Sequence, residues 1–257
     1  MTIDPAAETH HTLTIDAEGI YYKELNAMLR QAVADGVQRI DILNVTGQRY
    51  IGTDLDRPVE IHVHGTPGND LGAFMNGPRV HIYGNAQDAT GNTMNEGEIV
   101  IHGNAGDITG YSMRGGKLFV RGNVGYRVGI HMKEYKEKKP IVVIGGTAQP
   151  FLGEYMAGGV LLVLGLTLPE GAPHKANFIG TGMHAGVMYI RGTVEKHQLG
   201  KEVSILEPDD QDRILLRKLV AEYCAHFQKD PEPILSGHFI KVLPLSKRPY
   251  GNLYTPA

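Results

Sequence analysis

A glycine-x-x-methionine unit recurs along this chain at a spacing that few architectures can satisfy. It falls at Gly72/Met75, Gly91/Met94, Gly110/Met113, Gly129/Met132, Gly153/Met156 and Gly180/Met183, so the methionines step by 19, 19, 19, 24 and 27 residues. A second glycine column, Gly65, Gly84, Gly103 and Gly122, again steps by 19 and continues with Gly145, Gly165 and Gly192. Equal steps in two separate columns mark a structural repeat.

Each glycine of the second column closes a short run rich in β-branched and apolar residues, ending for example in Val63, Ile82, Ile101 and Val120 two places before the glycine. Such runs are strands. Alternation turns Val63, Ile82, Ile101, Val120, Val143, Val163 and Ile190 inward together with Ile61, Val80, Ile99, Leu118, Ile141, Leu161 and Met188. A strand, a turn and a return within 19 residues leave no room for a crossover helix. Each repeat is therefore expected to be one coil of a parallel β-solenoid, and seven coils at strand spacing make a rod roughly 30 Å long. Gly-Asn pairs at 84/85, 103/104 and 122/123 suit turns because both residues tolerate positive φ, and the methionines fill the coil interior.

The outward positions change along the rod. Early coils carry His62, His64, His81, Tyr83 and His102; later ones carry Val142, Ile144, Leu162 and Leu164, which marks these four as a possible interface, covered either by the chain's own C-terminal helix or by a partner.

The expected division is a disordered N-terminus (1–12), a helix and strand cap (13–57), the β-helix (58–200), and a C-terminal helix with an extended tail (201–257). In the cap, Leu25, Met28, Leu29, Ala32 and Val33 form a helical stripe stopped by Gly36, and a strand follows from Arg39. At the other end Asp209 and Asp212 start a helix with the stripe Leu216, Leu219, Val220, Tyr223, Cys224 and Phe227, from which His226 is expected to project away. Residues 231–257 lack periodicity and suit a surface wrap. Insertions at 133–139 and 166–177 break the repeat and are candidate contact sites.

Little points to chemistry. His62 and His64 with His81 stacked on His62 and His102 near His64 could approach a metal, but no supporting carboxylate or cysteine has the right spacing. Glycine loops such as that at Gly180 and Gly182 are followed by strands, not by the helix a phosphate loop needs. Asp70, Asp88 and Asp107 recur at one point of successive coils and read as turn caps ahead of a cation ladder. The single cysteine, Cys224, excludes an internal disulfide or a cysteine-built cluster, and its place in an apolar stripe excludes a reactive thiol. A net charge of −3 with interspersed signs offers nothing to nucleic acid or an anionic membrane. Neither a leader nor a membrane-spanning run is evident, so the expected location is cytoplasmic.

The unit Gly-Asn-x-Gly-x-x-x-Gly-x-x-Met-x-x-Gly-Gly, present from Gly103 to Gly116, resembles the glycine-rich repeat of the C-terminal domain of the glutamate synthase large subunit. The repeat is shared with one of the subunits of formylmethanofuran dehydrogenase. The stretches beginning at Gly65, Gly84 and Gly122 resemble most the free-standing third-domain proteins of split, archaeal-type glutamate synthases, along nearly the whole chain. The resemblance implies an all-β right-handed parallel β-helix that braces a glutaminase against an FMN and iron-sulfur synthase, the flavin and clusters residing in those partner subunits. It implies no catalytic, cofactor-binding or metal residue in this chain. The alternative is the same scaffold in another redox complex such as formylmethanofuran dehydrogenase. The first coil departs from the pattern, with Met75-Asn-Gly-Pro78 where the others end in paired or later glycines, and a distorted corner is expected there.

Overall fold

The computed structural model describes residues 12–169 and 171–246. The expected disordered N-terminus, except Thr12, and the last part of the tail lie outside the described residues.

The elements run β1 (Thr12–Asp16), α1 (Tyr22–Ala34), β2 (Arg39–Thr46), β3 (Glu60–Thr66), β4 (Asn76–Tyr83), β5 (Glu96–Ile101), β6 (Lys117–Val120), β7 (Ile141–Ile144), β8 (Ala157–Val163), β9 (Ala185–Arg191), β10 (Val203–Leu206), α2 (Asp210–Phe227), α3 (Glu232–Leu235) and β11 (Phe239–Pro244). One sheet holds all the strands in the order β1 to β9, then β11 and β10. Pairing is parallel from β1 through β9, so the expected β-solenoid is present, with six turns between β3 and β9.

The repeat glycines do two different jobs. Gly72 and Gly129 have φ of 67° and 71°, and a Cβ on either would come within 2.7 Å of Ile99 Cδ1 or Leu161 Cδ1 inside the rod. Both the left-handed backbone and the lack of room for a side chain demand glycine. The repeat methionines Met75, Met94, Met113, Met132, Met156 and Met183 are all fully buried beside them. Among the opening glycines, Gly84, Gly103 and Gly122 answer to sterics alone, since Gly122 has an ordinary φ but a Cβ there would overlap the Asn104 side chain of the coil before, whereas Gly65, Gly165 and Gly192 have positive φ. The expectation that Gly-Asn pairs mark positive-φ turns is thus corrected. Asn85 and Asn104 instead accept the backbone N–H of Asn104 and Asn123 one coil on, each at 2.8 Å.

The register of one coil also needs correction. Leu118 pairs with Val142 and Val120 with Ile144, so Val142 and Ile144 point into the rod while Ile141 and Val143 point out. The opening glycine of that coil is Gly146 and not Gly145; a slip of one residue exchanges the two faces. The spacing carried the signal, because 146 − 122 = 24 matches the methionine step 156 − 132 = 24. Gly145 has its own reason: a Cβ there would overlap the Tyr223 hydroxyl of α2.

The solenoid geometry begins before β3. Gly52 (φ 73°) and the buried Leu55 repeat the Gly72/Met75 corner with leucine in the methionine place, so β2 and the segment after it already follow the coil path. In α1 the buried stripe is Leu25, Leu29, Ala32 and Val33; Met28 faces solvent, and Asn26 is buried instead, donating to the carbonyl of Arg49 at 2.8 Å. Gly36 stops the helix in a left-handed turn. A register shift between Asn76 and Arg79 falls at the Pro78 corner, and the coil ending in Gly158-Gly159 has the same shift between Ala157 and Val160, so it is no distortion peculiar to the first coil.

At the far end part of the tail expected to wrap a surface forms a strand against the rod. β11 pairs antiparallel with both β9 and β10 and so covers the last solenoid edge, which would otherwise be free to recruit another strand.

Candidate interaction surface

α2 begins in a reciprocal capping box, with the Asp209 carboxylate accepting from Asp212 N–H and the Asp212 carboxylate accepting from Asp209 N–H. Its stripe of Leu216, Leu219, Val220, Tyr223, Cys224 and Phe227 packs on Phe119, Val143, Leu162, Leu164 and Tyr189, a second core outside the rod. Burying each large apolar side chain contributes about 1.5–3 kcal/mol. Polar contacts fix the pose: Tyr189 OH donates to Asp212 Oδ1 at 2.5 Å, Lys241 Nζ donates to Asp212 Oδ2 at 2.6 Å, and Tyr223 OH donates to the Arg121 carbonyl at 3.1 Å. Burial and the Asp212 carboxylate push the Tyr189 hydroxyl far above its usual range, so it stays a donor.

The expected interface therefore does not survive as drawn. Val142 and Ile144 line the rod interior, and Leu162 and Leu164 lie under α2, so the chain covers its own apolar face. Cys224 is buried in that core, and burial raises its thiol further, against a nucleophilic role.

Beyond the C-terminal end of α2 the outer wall of β3, β4 and β5 is a stack of rings. His62 lies on His81 with centroids 5.2 Å apart, and the next column runs His64, Tyr83, His102 with 4.9 Å at each step. Tyr83 thus separates His102 from His64, which corrects the expected neighbourhood. His62 is held by Glu60 Oε1 at 2.8 Å and by the Tyr83 hydroxyl at 3.0 Å, so both ring nitrogens are engaged. His226 turns toward the sheet rather than away from it, 4.7 Å from the Phe119 ring and 3.6 Å from Glu98 Oε1. The His226 imidazole holds the Glu98 carboxyl below its usual range, and burial holds His81 and His102 below the ordinary imidazole value of 6.5. Tyr83 remains 43 % exposed, so the stack presents ring faces and edges to solvent.

Among the described residues no group of three His, Cys, Asp or Glu side chains could hold a metal ion. The aspartate column ties successive coils together, since Asp88 and Asp107 accept the backbone N–H of Asp107 and Tyr126 one coil on at 2.8 Å and Asp70 accepts from the Asn92 side-chain amide at 3.0 Å. The 166–177 insertion is tied back by Thr167, whose hydroxyl donates to Asn123 at 2.7 Å. The 133–139 insertion reaches across coils through Lys138 to Asn76 and Glu96.

One surface feature escaped the sequence. Two residues before each corner glycine the backbone is left-handed even without glycine, as at Arg127 (φ 56°), Phe151 (φ 68°) and Phe178 (φ 59°). There Phe151 stacks on Phe178 at 4.8 Å with Arg127 over it, and Arg127 Nε sits 3.4 Å from the buried carboxylate of Glu154. Bulky residues rarely take this conformation, so composition gave no warning of it.

Among known proteins, the GXGXG motif family matches residues 34–245. It is the glycine-rich repeat family of the glutamate synthase C-terminal domain that the repeat resembled. An uncharacterized protein of Methanocaldococcus jannaschii is 46 % identical over 253 residues, covering 95 % of this chain and 97 % of that protein. In structure, a chain of the formyltransferase/hydrolase complex from Methylorubrum extorquens, solved in complex with methylofuran, is similar with a TM-score of 0.62 at 19 % identity, over 89 % of this chain and 92 % of that one. At such identity the likeness speaks to the fold. No helix among the described residues is long and apolar enough to cross a membrane.

Proposed function

The chain belongs to the GXGXG motif family, and from that premise we propose that it is a non-catalytic scaffold subunit of a multi-subunit redox complex, specifically of a glutamate synthase. In that assembly it braces a glutaminase against a partner protein that holds FMN and iron-sulfur clusters and contributes to glutamate formation, in the cytoplasm. The observation that carries this reading is the unequal treatment of one wall. The apolar half is sealed by α2, whereas the ring-lined half is stacked, touched by α2 only through His226 and Phe227, and leaves His64 and Tyr83 exposed. A rigid rod with one prepared open face suits a brace. The solenoid length supports the same role, because a stack of short coils resists bending and offers separate stations to separate partners.

Purification of the protein from its native source, with identification of the co-eluting chains, tests the reading. Co-elution of a glutaminase and a flavin or iron-sulfur protein is the expected result; stable partners that include no glutaminase would sink the glutamate synthase assignment. A second reading, a scaffold in another redox assembly such as formylmethanofuran dehydrogenase, draws support from the structural likeness to a chain of the complex holding methylofuran. The same experiment separates the two.

A further inference from the structure

The column His64, Tyr83, His102 has one more rung. Counting on by the repeat, 102 + 19 = 121, places Arg121 at its end, and Gly145 in the next coil gives way to Tyr223 of α2. At this junction lies a cleft of about 310 Å³ lined by His102, Arg121, Tyr223, Lys229 and the backbone of Gly103 and Gly122.

The chemistry of the lining is one-sided. No carboxylate lines the cleft, and among the described residues neither Arg121 nor Lys229 takes part in a salt bridge. Arg121 is well placed to act, because its carbonyl is pinned by the Tyr223 hydroxyl while its guanidinium is uncommitted. Lys229 follows the left-handed Gln228 that ends α2, and its backbone N–H caps the Cys224 carbonyl at 3.0 Å. The carbonyl end of α2 and Asp230 bring negative charge to that side, which Lys229 offsets; the Arg121 side has no such neighbour. Glu98, the other nearby acid, is engaged by His226. His102, kept neutral by burial and by repulsion from Arg121 and His226, would gain a proton once an anion screened that repulsion. The small Gly103 and Gly122, which cannot carry a Cβ without overlapping the Asn85 and Asn104 side chains, keep the floor open.

We propose that this cleft is an oxyanion-binding site that takes a carboxylate or phosphate group between the Arg121 guanidinium and the Lys229 ammonium, with the His102 ring beside it. The oxyanion comes either from a free small anion or from an acidic side chain of a partner, and the site stands whether or not the chain is a scaffold. The test is an amide-resolved NMR titration of the full chain with inorganic phosphate, with glutarate and with a short glutamate-rich peptide. The expected result is saturable shifts at Gly103, Gly122 and Lys229 with a Kd of about 1 mM for at least one probe, a rise in the His102 titration midpoint, and affinity at least about tenfold weaker in an Arg121→Gln/Lys229→Gln double variant. That variant keeps the Arg121 carbonyl used by Tyr223, and an unchanged spectrum elsewhere verifies its fold. Tighter binding of the peptide assigns the site to a partner's side chain, and tighter binding of phosphate or glutarate assigns it to a free anion; either supports the proposal. No saturable shift with any probe, or equal affinity in the double variant, overturns it.

Discussion

The outer wall over β3 and β4 and the outer wall over β7 to β9 are built on the same coil yet differ in what they present. The first carries buried His62 and partly buried His81 beside exposed His64 and Tyr83; the second carries Val143, Leu162, Leu164 and Tyr189 under a helix. The interior does not change along the way, since Val63, Ile82, Ile144 and Val163 occupy equivalent inward places. The contrast teaches that the repeat constrains only the inside of the rod. Its outside is free to vary, and here one half holds the chain's own helix while the other is left for something else.

The harshest way to break this comparison is to put a charge on each side of one wall. Ile144→Asp buries a carboxylate in the rod and is expected to cost more than about 4 kcal/mol and abolish the folded state. Leu164→Asp, only on the covered outside, is expected to cost about 3 kcal/mol and to release α2 while the sheet persists. Circular dichroism with hydrogen exchange on α2 distinguishes them; loss of the whole sheet in Leu164→Asp would mean that α2 is integral to the rod.

Those two positions also show how far the sequence could be read. The solenoid was legible because glycine at an inward left-handed corner has no substitute, so the columns survive in the spacing. The register of one coil was marked only by the matching step of 24, because Gly145 and Gly146 stand side by side and the reason for Gly145, clearance for Tyr223, comes from residues far along the chain. The coil at Gly52 was hidden by leucine in the methionine place, and β11, six residues long, lacked the repeat glycine and methionine columns that marked the other strands. The ring stack was visible as residues but not as contacts: His226 and Phe227 reach it from α2, across a separation that periodicity cannot bridge. Of the two covers open for the apolar outside, the chain's own helix takes Leu162 and Leu164, while Val142 and Ile144 belong inside the rod. An apolar outside calls for a cover, and the cover was in the same chain.

A milder change tests what locks that cover. Tyr189→Phe removes the hydroxyl that donates to Asp212 but leaves the carboxylate its Lys241 and backbone partners, so the expected loss is about 1 kcal/mol by urea denaturation. A loss several times larger would show that the phenol, not the apolar contact, seats the helix.

Acid sharpens the contrast from the other half. His81 and His102 are held below 6.5 in the folded chain, so the fold disfavours their protonation; their contribution to stability is present above 6.5 and is lost as pH falls through their depressed values. Glu98, also depressed, adds a loss at lower pH as its carboxyl protonates. Melting temperature should therefore begin to fall just below pH 6.5, and replacing both histidines by glutamine should remove that first part of the fall.

The central claim is that the open ring face exists for a partner and not for the fold. A His64→Ala/Tyr83→Ala double variant, expressed in the native source beside the tagged wild-type chain, tests it most directly. The account predicts a folded chain destabilised by about 1–3 kcal/mol, because buried His62 loses the Tyr83 hydroxyl, and loss of the co-purifying subunits. A variant that keeps its full set of partners, or one that unfolds, would contradict it.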